Sequence, residues 1–546
     1  MKTKLSKNIY TLFFVLVFLS TSCTNDFEEM NKDPYKVEDI STGPLFGTVQ
    51  KSIKQELHYM YQIQQNLNGD LYCGYMTSPN PYENDHNNST YSLMDGWNET
   101  PYKYRMTGIM KPISQILKLS DERSKDFIAI AKILRVLGMH EVTDSYGPIP
   151  YSSYGVYDTY APYDSQKEVY DSFFKDLAEA DKFLKEVIAK NPAKSAFKKY
   201  DYMLGGDYSK WRRLGNSLRL RLAIRISNVD YARAKMEAEK AVANGVLNET
   251  DGVVGMLDVT SSNPLYTISN VWHDAKLGAN MESILVGLKD PRLEKYFTPT
   301  EDAKAKALGT NYTLSTGEAV RFQGIRNGVR LVNKGLRTGF STLGKPWQES
   351  QEKMTPIYFI VPAEIYFLRA EGALKGFNMN GTAEALYKEG VEVSMKQWGV
   401  EISKVGTYLN DETSHPSDYV DPINQENNIV AASHVSIKWD ESLSKEEKLE
   451  KIITQKWIAN FPNGQESWSE FRRTGYPKLH VIKTNDSYAI ENGQVDSKIK
   501  IRRLPFPKGE VKDNIAEVKK AYQYLSSGKD NAGTRLWWDT GSNKFN

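Results

Sequence analysis

Aromatic and amide side chains are concentrated in the polar stretch between residues 75 and 105. Aromatic rings stack on the apolar faces of sugar rings, while amide and carboxylate groups hydrogen-bond the surrounding hydroxyls. The stretch is therefore a candidate sugar-binding loop. Its candidate ligand contacts are Trp97, Asn98, Tyr82 and Tyr91. For any single tyrosine the alternative is that its ring pins the loop to the protein body, and the sequence leaves both interpretations open.

Two further tryptophans lie in polar surroundings away from that loop. Trp272 is followed directly by a histidine and an aspartate, and Trp347 lies in a region rich in Gly, Ser, Thr and Asn. Loops that run over a folded scaffold often carry binding residues. We therefore predict Trp272 and Trp347 as additional ligand contacts.

No enzymatic motif accompanies these aromatic residues. The nearest approach to the zinc-protease motif HExxH is residues 140–144, HEVTD, in which an aspartate replaces the second histidine. The chain has no GxSxG, P-loop or GxGxxG motif and no EF-hand loop. Because 68 acidic residues are present, the sequence does not exclude a facing pair of carboxylates of the kind that glycosidases use. We predict a binding protein with no catalytic residues, no cofactor and no metal.

The composition is typical of a folded protein that does not bind nucleic acid. Of the 546 residues, 70 are Lys or Arg and 68 are Asp or Glu, so there is no excess of positive charge to contact a phosphate backbone. The charged and hydrophobic fractions, 25% and 40%, are those of a globular chain. Two cysteines are too few for a disulfide framework or a four-thiolate zinc site.

The N-terminus has the pattern of a bacterial lipoprotein signal. Three lysines precede an apolar run at residues 12–19, which is too short to span a bilayer, and the small residues 20–22 lead to Cys23. We predict a signal peptide at 1–22 and acylation of Cys23; an ordinary signal peptide is the alternative. Several acyl chains together give firm membrane anchoring. Loss of this signal, with its three lysines and no acidic residue, changes the net charge from +2 to −1.

The segment after the anchor, residues 23–40, is polar and acidic and is predicted to be a flexible tether. Its acidic residues resemble the surface-export signal of Bacteroidetes lipoproteins. Once Cys23 is acylated, Cys73 is the only free thiol. The apolar neighbours of Cys73 favour a buried structural role over that of a nucleophile.

The rest of the chain, residues 41–546, is predicted to be one domain that is mostly helical. Apolar residues recur at three- and four-residue spacing in five windows, which indicates amphipathic helices. These windows begin at Phe127, Val169, Leu214, Ala383 and Leu449. The predicted helical scaffold covers about 41–250, 355–400 and 445–480. The predicted irregular insertions, which carry the ligand face, cover about 75–105, 250–350, 400–445 and 485–546.

Short motifs are distributed in a fixed order over the whole chain. They lie at residues 31–34, 143–151, 162–170, 206–211, 216–223, 290–293, 364–372, 455–459, 466–477 and 535–539. In this order they resemble the SusD/RagB family of Bacteroidetes outer-membrane lipoproteins. The resemblance implies an all-α-dominated fold, in which tetratricopeptide-like helix pairs form a superhelix with long irregular insertions.

The same resemblance implies a role. Such proteins bind an oligomeric nutrient, usually a glycan, at the cell surface, and form the lid of a SusC-like TonB-dependent transporter. The resemblance also implies that several motif residues join helix pairs through buried ion pairs and stacking rather than contacting ligand. These residues are Arg219, Arg221, Glu371, Trp457, Arg472 and Arg473. Ligand contacts vary between members, so none is transferred by motif.

Three functions remain open at this point. The first is a glycan-binding lipoprotein, which the aromatic and amide-rich loops favour. The second is a peptide-binding lid of the same architecture, as in the RagB-like branch. The third is a lipid-anchored hydrolase, which would require a pair of carboxylates that no local motif indicates.

Overall fold

The computed structural model describes residues 36–120, 124–156, 161–190, 195–258, 260–487 and 495–545. The chain divides into two compact units, residues 1–44 and 45–546. The predicted signal peptide and Cys23 lie outside the described residues. The first described helix begins at Lys36, within the range predicted to be a tether.

Helices account for most of the regular structure. The described α-helices are α1 (Lys36–Ile53), α2 (His58–Tyr61), α3 (Asp70–Tyr72), α4 (Asp95–Arg105), α5 (Lys111–Leu119), α6 (Lys125–Tyr146), α7 (Gln166–Ala189), α8 (Tyr208–Arg225), α9 (Tyr231–Asn244), α10 (Ala279–Gly287), α11 (Leu293–Tyr296), α12 (Ala303–Lys306), α13 (Pro362–Leu374), α14 (Ala383–Gln397), α15 (Ile402–Leu409), α16 (Lys445–Ala459), α17 (Gly464–Thr474), α18 (Lys508–Asp513) and α19 (Ile515–Tyr522). Three π-helical segments add Gln62–Gly69, Met106–Met110 and Tyr266–Val271.

Consecutive helices of the second unit pack as pairs. Helix α6 packs on α7, α8 on α9, and α13 on α14, and α8 also contacts α7 and α13, so neighbouring pairs stack on one another. The predicted apolar stripes lie at these contacts. Phe173 and Leu177 of α7 and Leu214 and Leu218 of α8 are buried. The prediction of an all-α-dominated fold is confirmed.

Local sequence fixes where two of the long helices begin. The Ser165 side chain accepts the Glu168 N–H, and the Glu168 carboxylate accepts the Ser165 N–H at 2.8 Å, which is a capping box at the start of α7. Ser444 and Glu447 form the same arrangement at the start of α16. Each box satisfies backbone donors that the first turn of a helix leaves without intrahelical partners.

The strands in the described residues pair as short antiparallel ribbons. Strand β1 (Met76–Thr77) pairs with β3 (Lys276–Leu277), β2 (Val254–Met256) with β6 (Ile357–Ile360), and β4 (Tyr312–Thr313) with β5 (Ala319–Val320). The β1–β3 ribbon joins the polar stretch after α3 to the segment that follows Trp272. Two stretches far apart in sequence are thereby adjacent.

All four predicted irregular stretches contain helices: α4 in the first, α10 to α12 in the second, α15 in the third, and α18 and α19 in the last. The helix in the first stretch bears on the candidate site. Residues 95–105 form α4, so Trp97 and Asn98 lie in its first turn rather than in a loop. Gly96 and Pro101 disfavour helix formation, so the sequence pattern does not predict α4. The helix forms because its buried residue Tyr102 packs into the core, and packing outweighs intrinsic propensity.

Buried ion pairs join helices of different pairs. Arg221 of α8 donates two hydrogen bonds of 2.7 Å to the two carboxylate oxygens of Glu364 on α13. Arg473 of α17 donates to both carboxylate oxygens of Glu371, also on α13, at 2.6 Å. Such bidentate pairs fix both distance and orientation. The structural role that the family resemblance implies for these arginines is confirmed.

The remaining motif residues also hold elements together. Arg219 pairs with Glu237 and so joins α8 to α9. The Arg472 guanidinium of α17 lies 3.6 Å from the centroid of the Trp468 ring on the same helix. It also donates to the carbonyls of Asp144 on α6 and of Arg502, which joins α17 to both. Trp457 donates its indole N–H to the carbonyl of Cys73 at 3.0 Å. No helix in the described part of the chain is long and apolar enough to cross a membrane.

Cys73 is expected to be unreactive in the folded protein. Its side chain is fully buried, and burial raises the pKa of its thiol well above the usual value, so the reactive thiolate is suppressed. An aromatic disulfide reagent should label no thiol on the native lipoprotein and one thiol per chain after denaturation in guanidinium. Rapid labelling of the native protein would contradict the buried position.

Glu282 of α10 is expected to make stability depend on pH. Burial raises the pKa of its carboxyl to about 8, and the carboxyl accepts the Gly324 N–H at 2.6 Å. In the unfolded chain the same group ionises near pH 4. Between these two values the unfolded state alone releases the proton, so stability falls as pH rises toward 8.

The Glu282→Gln variant should therefore be stabilised relative to the wild type, and more at pH 8 than at pH 5. Urea denaturation at the two pH values measures the difference. A gain of equal size at both pH values would show that ionisation of Glu282 is not its cause.

Candidate functional site

Three polar side chains from separate segments donate hydrogen bonds to Asp274. The Asp274 carboxylate accepts hydrogen bonds from Lys334 Nζ at 2.5 Å, Gln62 Nε2 at 3.3 Å and Asn80 Nδ2 at 3.4 Å. Gln62 Nε2 also donates to the Tyr82 hydroxyl at 3.2 Å. One carboxylate of the predicted insertion at 250–350 thus ties that insertion to the π-helix that begins at Gln62 and to the polar stretch after β1.

Tyr82 and Trp97 form an aromatic pair at one side of this network. Their ring centroids lie 5.2 Å apart with the planes at 89°, and both side chains are partly exposed. The Trp97 carbonyl accepts a hydrogen bond from Asn68 Nδ2 at 3.2 Å, which fixes the first turn of α4. Burial and the Asp274 carboxylate raise the pKa of Tyr82, so its hydroxyl stays protonated at physiological pH.

Trp272 lies at the other side of the same network. It directly follows the π-helical segment Tyr266–Val271, and its carbonyl accepts a hydrogen bond from Lys334 Nζ at 2.6 Å. Its ring is partly exposed and lies edge-to-face to His58, with centroids 6.0 Å apart. Lys334 therefore links Trp272 to Asp274. We call the surface formed by Tyr82, Trp97 and Trp272 the aromatic face.

The histidine after Trp272 leaves a polar atom without a partner. His273 has a positive φ of 56°, and its Nδ1 is buried with no hydrogen-bond partner among the described residues. A buried polar atom in this state carries a free-energy cost that a ligand hydrogen bond would relieve. The atom adds a candidate polar contact next to the aromatic face.

Two of the predicted ring contacts belong to the core instead. Trp347 is fully buried, with its ring 5.6 Å from that of Phe461 and 5.7 Å from that of Trp398. Tyr91 is 4% exposed and belongs to the hydrophobic core. Neither side chain presents a ring face to solvent, so we omit Trp347 and Tyr91 from the aromatic face.

Asn98 is adjacent to Trp97 in sequence but points into the protein. It is 5% exposed, and its backbone carbonyl accepts the Tyr146 hydroxyl. Its side-chain Oδ1 is buried and has no hydrogen-bond partner within the described residues. Its position therefore supports the packing of α4 on α6 rather than direct contact with a ligand.

The polar residues that organise the aromatic face were not predicted from the sequence. They are Gln62, Asn80, Asp274 and Lys334. Asp274 follows Trp272 by two positions, so its closeness to a predicted ligand contact could have indicated it as a site residue. Gln62 begins the amide-rich run QIQQNLNG at residues 62–69, an unusual composition for a buried helical segment. Lys334 carries no local signal, because only the fold brings it to Asp274.

The described residues contain no group of three or more His, Cys, Asp or Glu side chains that could hold a metal ion. The Asp274 carboxylate is engaged as a hydrogen-bond acceptor. The arrangement of rings, amides and a lysine-paired carboxylate is suited to binding a ring-shaped, hydroxyl-rich ligand.

Comparison with known proteins identifies the family. The model of the SusD-like family, described as Susd and RagB outer membrane lipoprotein, matches residues 23–539. The chain therefore belongs to the SusD-like family of outer-membrane lipoproteins, as its motifs predicted. No curated protein matches the chain at a significant level.

Solved structures of SusD homologues are similar over nearly the whole chain. A chitin-binding SusD homologue from Flavobacterium johnsoniae is 39% identical with a TM-score of 0.84, over 92% of this chain and 100% of the homologue. A SusD homologue from Bacteroides vulgatus ATCC 8482 is 34% identical with a TM-score of 0.83, over 92% and 98%. One from Bacteroides thetaiotaomicron VPI-5482 is 32% identical with a TM-score of 0.81, over 92% and 99%. The predicted tetratricopeptide-like fold is confirmed.

Proposed function

We propose that this lipoprotein binds an oligo- or polysaccharide on its aromatic face, and that chitin-type chains of β-1,4-linked N-acetylglucosamine are its ligand. The observation that carries the proposal is that one hydrogen-bond network positions three partly exposed aromatic rings. The similarity to a chitin-binding homologue at 39% identity supports the choice of sugar.

The chemistry of the face fits such a ligand. The flat apolar sides of pyranose rings would stack on Trp97 and Trp272, which are both partly exposed. Hydroxyl and acetamido groups would exchange hydrogen bonds with Asn80 and Lys334, whose side chains are partly exposed at the edge of the network. Binding an extended, uncharged chain requires no catalytic group. This agrees with a protein that binds its ligand and presents it intact.

Calorimetric titration of the detergent-purified lipoprotein tests the proposal. We expect heat with chitohexaose and little or none with maltohexaose at the same concentration. Heat with peptides and none with any glycan would favour the peptide-binding lid instead. Release of shorter sugars from bound chitohexaose would favour the lipid-anchored hydrolase.

We further propose that the protein faces the cell exterior and delivers its ligand to a SusC-like TonB-dependent transporter. Membership of the SusD-like family of outer-membrane lipoproteins supports this arrangement. Affinity purification of the tagged lipoprotein from outer membranes should retain one large β-barrel protein. Labelling of intact cells with an impermeant amine reagent should modify the lipoprotein. Recovery of the lipoprotein alone, or protection from labelling, would contradict the corresponding part of the proposal.

Cys23 is expected to be the membrane attachment point. The Cys23→Ala variant removes the thiol that receives the lipid, so the protein should move from the membrane to the soluble fraction of lysed cells. Cys73→Ala is the matched control and should remain in the membrane fraction. Retention of the Cys23→Ala variant in membranes would assign the attachment to another part of the chain.

A further inference from the structure

A basic cavity lies apart from the aromatic face. It has a volume of about 650 Å³ and is formed by the C-terminal end of α17, residues 498–502 and the C-terminal residues 535–543. Seven of its lining side chains are Lys or Arg, and one, Glu446, is acidic. None of the residues of the aromatic face or its network lines this cavity.

Several of these basic groups are neutralised by carboxylates behind the cavity wall. Arg502 and Arg535 share Asp539, each with a hydrogen bond of 2.7 Å. Lys478 lies 3.0 Å from a Glu450 oxygen. Arg473 is paired with Glu371 and Glu470. Lys478 and Arg473 are thus balanced, whereas the two arginines that share Asp539 retain one positive charge between them.

Three other basic groups on the wall have no carboxylate partner among the described residues. Arg472 is buried, and its guanidinium donates to three backbone carbonyls and one serine hydroxyl. Lys500 is 9% exposed, and its ammonium donates to the carbonyl of His480. Lys498 is exposed at the rim. The cavity therefore holds uncompensated positive charge next to the solvent.

The excess positive charge carries a free-energy cost at Lys500, whose ammonium keeps free donors for a ligand. Its burial, together with the positive charges of Arg326 and Arg502, lowers the pKa of its ammonium to about 8. An ammonium carries three donors, and one is used by the His480 carbonyl, so two remain for a ligand. A bound anion would both satisfy those donors and offset the charge.

We propose that this cavity is an anion-binding site for the carboxylate, sulfate or phosphate group of a small molecule such as an acidic sugar. The group binds Lys500 directly, Lys498 closes over it from the rim, and Arg472 supplies positive charge from behind. The concave volume falls in the range of small-molecule sites, which favours a small ligand over a protein segment.

Thermal shift and calorimetric titration of the detergent-purified lipoprotein test this site. The probes are sodium glucuronate, sulfate and phosphate, with glucose and sodium chloride at matched ionic strength as controls. We expect saturable binding of at least one oxyanion and none of glucose, and the preferred probe identifies the group. Lys500→Met should weaken that binding by about tenfold or more, because a charge-assisted hydrogen bond is lost.

Lys498→Glu serves as a second variant, since a change at the exposed rim does not threaten folding. It should weaken anion binding while Lys519→Glu, a charge reversal at an exposed lysine on α19, should leave binding unchanged. Chitohexaose binding should be the same in all three variants, so failure here is distinguishable from failure of the aromatic face. Three results would overturn the proposal. The first is equal anion affinity in the wild type and Lys498→Glu, and the second is no response to oxyanions beyond that to chloride. The third is binding of poly-glutamate but of none of the small oxyanions.

Discussion

The Trp97→Ala variant is expected to bind chitohexaose more weakly than the wild type by about 1–3 kcal/mol, roughly tenfold to a hundredfold in Kd. The reason is the loss of a ring that stacks on the sugar, and also the loss of the edge-to-face support it gives to Tyr82. Calorimetric titration measures the affinity. Trp272→Ala, at the other side of the Asp274 network, should weaken binding in the same direction.

Stability separates this effect from a packing effect. The Trp97 ring is partly exposed, so its removal should lower Tm by no more than about 2 °C, as expected for one aromatic pair in a large domain. Tyr524→Ala is the matched control, because Tyr524 is 43% exposed and lies outside the aromatic face. A large fall in Tm with unchanged affinity would assign Trp97 to packing and remove it from the ligand site.

The Arg225→Met variant is expected to lose about 3–5 kcal/mol of folding free energy. Arg225 is fully buried on α8 and forms ion pairs with Glu470, with Glu466 at 2.6 Å and with Asp144 at 3.4 Å. Methionine fills much of the space but leaves three buried carboxylates with less positive charge. Lys456, which lies 3.0 Å from Glu470, offsets only part of the deficit.

Urea denaturation followed by circular dichroism measures the loss. Lys167→Met is the matched control, because Lys167 forms a 2.8 Å pair with Asp171 on the exposed side of α7. Exposed pairs of this kind contribute at most about 1 kcal/mol. If the two substitutions cost the same free energy, the buried cluster does not hold α8 to α17 as its geometry indicates.

The helical scaffold could be predicted because its signal is local. Apolar residues such as Phe173 and Leu177 recur at helical spacing and are buried on α7. Helix α4 could not be predicted in this way, since Gly96 and Pro101 weaken its propensity. Its formation depends on burial of Tyr102 against helices that the sequence does not place beside it.

The sequence could predict which residue types form the candidate site. It could not predict which individual residues belong to it. Trp272 and Trp347 both lie in polar stretches, yet one ring is partly exposed and the other packs against Phe461, more than a hundred residues away. Such burial is decided by tertiary contacts. Lys334 was missed for the same reason, because its partner Asp274 is 60 residues distant.

The hydrogen bonds around Asp274 have a kinetic consequence. They hold Tyr82 and the backbone of Trp272 in place before any ligand arrives, so complex formation loses little conformational entropy at the aromatic face. Differences in affinity between sugars should therefore appear in their dissociation rates. A ligand held by stacking on a rigid surface can have a short residence time, which would suit the proposed delivery of each captured chain to a transporter.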